Sequence, residues 1–313
     1  MSTGIPDLTP AVGVDAPVAT RRRTSRAALI WRRFRRNTAA MAGLVVLTLL
    51  TLFALLGDAF WAYDYTDVDF TALSQAPSAE HPLGTTAGGN DVYAQAVHGL
   101  RRSMLIAAFV SVVTTLVAAA IGAGAAYMGG FGGRLGLRGE RALIGLIHFL
   151  LVIPTFLVLA LLTQSAGGDW RVLAVALAAV SWMTTARITW TIATSLRERE
   201  YVAAARYMGV PGWRIVSRHI IPNISSMLIV SFTIQLVVTV QAETALSYLG
   251  LGIQIPDVSL GVLLAEGGNS MTTLPWVFWA PTVLLLFLTI SIALIGDGLR
   301  DALDPTSNSG GRA

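Results

Sequence analysis

The sequence predicts an all-α, polytopic membrane protein with six transmembrane helices, and three observations carry that prediction. Hydrophobic residues make up 54% of the chain and charged residues only 13%, for a mean hydropathy of +0.64. A soluble domain needs about 25% charged residues to present a wetted surface. The apolar residues also gather into six runs, each close to the ~20 residues that a helix needs to cross the hydrocarbon core. Finally, eight arginines lie between Arg21 and Arg36, immediately before the first run. A basic block abutting an apolar span is the positive-inside signal that holds a segment in the cytoplasm.

In chain order, the predicted spans are 39–57, 103–128, 142–162, 172–190, 225–242 and 276–295. Their interiors are rich in Leu, Val, Ile and Ala, and must be helical because lipid offers no partner to an unpaired backbone group. Loop charge sets the orientation. The connections assigned to the cytoplasm carry Arg134, Arg138, Arg141, Arg197, Arg199, Arg206, Arg214 and Arg218. The segment after the first span carries Asp58, Asp64, Asp67, Asp69 and Glu80, with no basic residue before Arg101. Both termini are therefore expected in the cytoplasm. The first span is longer than the apolar region of a signal peptide and no small-x-small site precedes Asp58, so it reads as an uncleaved anchor. Residues 1–20, rich in Pro, Ala, Thr and Gly, are expected to be a disordered tail. The division predicted is a disordered, basic segment at 1–38, a transmembrane domain at 39–305 and a short cytoplasmic tail at 306–313.

Several function classes are excluded or disfavoured. With no cysteine there is no disulfide or thiolate metal site. All 22 basic residues are arginine, so no phosphate-binding loop ending in Lys-Ser or Lys-Thr is possible. The chain is not an ATPase by that route. His81, His98, His148 and His219 make no paired metal-ligand pattern, so no metal is expected. The net charge of +4 is spent at membrane edges rather than on a nucleic-acid surface.

The polar insert at 195–223 reads as two short helices with a break. From Glu200, the residues Tyr201, Ala204, Ala205 and Met208 share a helical face. Gly209 supplies a helix-ending position that tolerates left-handed backbone, and Pro211 suits the first turn of the next helix. Trp213, Val216 and Ile220 then line one side, and Pro222 ends the element. Physically this is either a rigid knob for a partner or an amphipathic loop lying on the membrane surface.

The residues of this insert resemble the EAA loop of ABC importer permeases: Glu200-Tyr-Val-x-Ala-Ala, then Gly209, Ile215 and His219-Ile-x-Pro-Asn223. The nearest likeness is to the C-type subunit of the dipeptide, oligopeptide and nickel uptake group. His81-Pro-Leu-Gly-Thr85 with Asp91-Val92, Tyr127-Met-Gly-Gly130, Ile153-Pro154, Leu246-Ser-Tyr-Leu-Gly-Leu-Gly252 with Pro256, and Gly296-Asp-Gly-Leu-Arg-Asp-Ala-Leu-Asp-Pro305 extend the resemblance over most of the chain. The sequence departs from it at Thr86, Asn90, His148 and Leu260. The resemblance implies a type I importer fold in a bacterial inner membrane, with 200–209 docking in a cleft of a cytoplasmic ATPase. Glu200, Tyr201, Ala203, Ala204 and Gly209 would form that contact. It further implies a second homologous permease, one or two ATPase subunits that bind the ATP and Mg, and an external solute-binding protein. The solute would be a peptide or similar small molecule.

Gln235 and Gln241 lie in the fifth span and Glu243 at its outer end. An ionisable group at membrane depth usually faces a cavity or partner, so the three are candidates for the translocation path. The alternative for Glu243 is an interfacial glutamate satisfied by water or a partner. Gly122 and Gly124 suit close helix packing, while Gly129-Gly130 read as the end of the second helix. The competing class is a self-contained secondary transporter driven by an ion gradient, which would show inverted repeats and paired intramembrane carboxylates. No clear repeat is visible.

Overall fold

A computed structural model describes residues 25–164 and 167–304 of the chain. The expected tail at 1–20 and the one at 306–313 lie outside the described residues. Within them the protein is a helical bundle with no β-strand. A short helix α1 (Arg26–Phe34) leads into α2 (Thr38–Leu56), and the chain then crosses an irregular segment to the long α3 (Val92–Phe131). α4 (Gly133–Val152), α5 (Thr155–Gln164) and α6 (Trp170–Arg197) follow, then the short α7 (Glu200–Tyr207) and α8 (Gly212–Ile215). The last part comprises α9 (Ile221–Tyr248), α10 (Leu260–Asn269) and α11 (Pro275–Leu303).

Five helical stretches are long and apolar enough to cross a membrane, and a sixth is counted if α4 and α5 make one bent span. These match the predicted spans in order. Leu49, Leu52 and Leu55 on α2, Leu105, Phe109 and Leu116 on α3, and Leu286, Phe287 and Ile290 on α11 all face outward. Water would penalise such a surface and lipid does not.

Three features differ from the sequence reading. First, the third span is not one straight helix: α4 and α5 meet at 76°. Pro154 lacks the N–H needed to continue the helix and disfavours helical backbone at the residue before it. Ile153 is accordingly extended, with φ −73° and ψ 127°. Second, part of the segment expected to be disordered is helical. Ser25 caps α1 by accepting a hydrogen bond from the Ala28 N–H, and Phe34 packs with Ala40 and Ala302 against the end of α11. Third, α3 runs through Gly129 and Gly130 to Phe131, so this pair does not end the helix.

The α3–α6 pair forms the centre of the bundle. Its contact is made of small residues, with Ala118, Ala123 and Ala126 of α3 and Ala186 and Ala193 of α6 fully buried. At Gly122 a Cβ would lie 2.5 Å from the Ala186 carbonyl oxygen, so the close approach requires glycine there. α9 lies against α3, and α11 against α2 and α10. The two ends of the bundle differ. One carries α7 and the end of α3. The other is closed by the segment between α2 and α3 together with α10.

Candidate functional site

The α7 element is built from a helix too short to persist alone and a turn that fixes its exit. Glu200 stands in its first turn and Arg206 in its last, each at the end whose dipole it offsets. Beyond it, Gly209 has φ +78°. The Gly209 N–H donates to the Arg206 carbonyl (2.8 Å) and the Val210 N–H to the Ala205 carbonyl (3.1 Å). This is a Schellman turn, which closes the helix with its last carbonyls satisfied. Nothing lies within 4 Å of a Cβ placed at Gly209, so the backbone angle, not crowding, calls for glycine.

One face of α7 is anchored and the other is free. Val202 and Ala205 are buried with Ile215 and Ile220 against Ala123, Ala126 and Ala193. The Arg206 guanidinium lies 4.5 Å over the Phe131 ring and donates to the Phe131 carbonyl (3.3 Å). Glu200, Tyr201, Ala204, Tyr207, Met208 and Gly209 are exposed, and Ala203 is half-buried. Ala205 therefore belongs to the inward face rather than beside Tyr201, Ala204 and Met208.

The second half of the loop also departs from expectation. Pro211 caps α8 from outside it instead of sitting in its first turn. Pro222 does not end the element, because helix continues from Gly212 to Tyr248. Pro222 cannot donate to a preceding carbonyl, and the residues before it, Val216–Ile220, take the wider π turn. That turn shifts the helical phase. Ile215 and Ile220, five apart, point inward, while Trp213 is exposed.

Beside α7 lies a polar group that periodicity did not reveal. Glu140 of α4 is buried, and its Oε1 accepts from Arg197 Nη1 (3.0 Å) and Trp190 Nε1 (2.8 Å) of α6. Arg197 Nη1 also donates to the Ala126 carbonyl of α3 (2.6 Å). Glu140 and Arg197 are 57 residues apart, so no local spacing links them. Both also lie just outside the predicted spans, Glu140 between Gly139 and Arg141 and Arg197 beyond residue 190, where charge is expected and draws no notice.

The three path candidates do not share a face. Glu243 is fully buried, with Ser103 donating to Oε2 (3.0 Å) and Ser247 to Oε1 (2.9 Å). In this conformation it ties α9 to α3 inside the chain, enclosed by the chain's own hydroxyls. Gln235 is also turned inward, donating to Thr239 Oγ1 (3.1 Å). Gln241 is exposed, since two helical residues carry it about 200° around from Glu243.

The opposite end is polar. Asp91 caps α3 through the Ala94 N–H (2.8 Å), faces His81 Nδ1 (2.7 Å) and accepts from Trp61 Nε1 (3.1 Å). Hydrogen bonds from the Thr66 side chain and backbone hold the Asp64 carboxyl below its usual range, and Thr71 does the same for Asp69. Arg102 Nη2 donates to Asp257 (2.9 Å) and the guanidinium lies 4.3 Å over the Trp170 ring. Among the described residues no group of three His, Asp or Glu could hold a metal.

Comparison with known proteins accords with this geometry. Residues 121–308 match the family described as binding-protein-dependent transport system inner membrane component. Residues 25–77 match the N-terminal transmembrane domain of oligopeptide transport permease C. Oligopeptide transport system permease protein OppC of Mycobacterium tuberculosis is 44% identical over 287 residues, covering 91% of this chain and 96% of the relative. OppC of Escherichia coli is 35% identical over 276 residues, covering 88% and 89%. OppC of Bacillus subtilis is 30% identical over 273 residues, covering 87% of each. The secondary-transporter alternative gives way to these matches. The chain belongs to the binding-protein-dependent transport system inner membrane component family, and is a multi-pass permease subunit of an importer in the bacterial inner membrane.

Proposed function

We propose that this permease subunit serves an ATP-driven importer of peptides, with α7 as the element that an ATPase subunit grips. The observation that carries this reading is the division of α7 into an anchored and a free face. Val202 and Ala205 fix it to α3 and α6, while Tyr201, Ala204, Tyr207 and Met208 are open to a partner. A knob held on one side and free on the other passes force into the bundle instead of bending under it. ATP and Mg are held by the ATPase subunits, of which there are one or two kinds, and the solute arrives on an external binding protein. Peptide as solute follows from the names of the relatives.

In this reading α7 and both termini are cytoplasmic, in line with the arginine bias of the loops. ATPase closure pushes on residues 200–209, and the bundle turns so that the path opens first outward and then inward. A second homologous permease completes the path. The exposed stripe of α9, with Ile234, Val238, Gln241 and Tyr248, faces it, and Gln241 is the one path candidate that remains available to solute.

The test is Gly209→Asp. Aspartate tolerates positive φ better than most residues, so the substitution chiefly adds charge at the docking turn. Peptide uptake is expected to vanish with the membrane level of the chain unchanged on immunoblot. Normal uptake would reject the coupling role of α7. Uptake that survives inactivation of the partner ATPase would return the ion-gradient alternative.

A further inference from the structure

We propose that Glu140 and Arg197 form an internal lock that makes α3, α4, α6 and α7 move as one body; the pair positions the coupling element without touching ATPase or solute. This rests on the coupling role of α7 proposed above. Arg197 is the last residue of α6, and Arg199, two residues on, caps α7. Its guanidinium reaches the Ala126 carbonyl of α3 and the Glu140 carboxylate of α4 with the same nitrogen. Trp190 of α6 adds a second donor to that carboxylate. Three long helices are thus joined at one polar point, next to where α7 leaves α6.

The bundle makes room for this pair at some cost. A Cβ at Gly129 would fall 1.7 Å from Glu140 Oε2, and one at Gly130 would fall 2.8 Å from Arg197 Cδ. Two adjacent helical glycines are therefore clearance for the ion pair. A buried ion pair holds a fold no better than apolar side chains of the same volume, so stability alone gives little reason to build one. What it supplies is a single allowed arrangement, because any sliding of α4 past α6 leaves two charges unmatched.

The first test replaces both charges at once, Glu140→Gln with Arg197→Met, in the full transporter reconstituted in liposomes. Removing both partners leaves no unpaired buried charge, so the complex should assemble and hydrolyse ATP. Uptake per ATP is expected to fall by about tenfold, in the range of ordinary coupling between sites. A double variant that assembles and transports at the wild-type ratio would overturn the proposal and leave the pair a packing feature.

The second test needs no change to the pair. The chain has no cysteine, so Ser195→Cys on α6 and Leu135→Cys on α4, both exposed, take spin labels in a transporter whose partner cysteines are removed. The label distance should stay fixed between nucleotide-free and vanadate-trapped complexes. A change beyond the ~1–2 Å of ordinary helix adjustment would overturn the proposal even if the double variant failed to assemble. This distance is read whatever α7 contacts. A fixed distance together with normal uptake by Gly209→Asp would break the docking reading and not the rigid unit.

Discussion

Two glutamates are buried in this bundle, and they are satisfied in opposite ways. Glu140 meets a guanidinium and an indole N–H contributed by a different helix. Glu243 is fully enclosed and meets only hydroxyls, from Ser103 of α3, Ser247 of its own helix and Ser259 at the start of α10. Hydroxyls rotate, so they can donate to one oxygen and accept from another group without any backbone movement. A guanidinium fork has fixed directions and no acceptor. The site at Glu243 should therefore tolerate a change of charge, and the site at Glu140 should not.

The comparison is broken most directly by Arg197→Met alone. It leaves Glu140 buried without its cation, and the expected loss is about 3–5 kcal/mol of stability, read as a large drop in membrane level and thermal midpoint. A variant as stable as wild type would show that the pair is not a tie at all. Gly129→Ala comes next. The new methyl must displace the carboxylate from 1.7 Å, at a cost of about 1–3 kcal/mol typical of overpacking. The thermal midpoint of the purified complex checks it. The smallest effect is expected at the other glutamate. Glu243→Gln keeps the shape, and Ser103 and Ser247 can reorient, so the change should stay within about 1 kcal/mol. A loss as large as that of Arg197→Met would erase the distinction between the two sites.

The order of the spans was legible because each depends on a run of apolar residues within one window. So was the turn at Gly209, where a single residue type answers a single backbone angle. The break at Ile153 was hidden by continuous hydropathy across 142–162, although Pro154 carried the information. The α8 faces were misplaced because a pattern read at constant pitch cannot anticipate the π turn before Pro222. Gly129 and Gly130 read as a helix end for want of the side chains that need their space. Those side chains, Glu140 and Arg197, belong to two other helices, and no spacing rule within α3 refers to them. Gln235, Gln241 and Glu243 all suit the interior of a span; their spacing already sets Gln241 about 200° from Glu243, and the packed bundle adds which of those faces is buried.

The length of α3 has a further consequence. Its 40 residues make a rod of about 60 Å at 1.5 Å per residue, while the hydrocarbon layer is only about 30 Å thick. Roughly half of the rod stands outside the oil, and its far end is where Phe131 holds Arg206 of α7. On the docking role proposed for α7, its partner works clear of the hydrocarbon layer. An inclination of only about 10° about the opposite end would sweep that far end through about 10 Å, for a rod of this length. On that reading, the subunit would trade a displacement on the scale of a protein–protein cleft for a rotation small enough that the surrounding lipid barely has to rearrange.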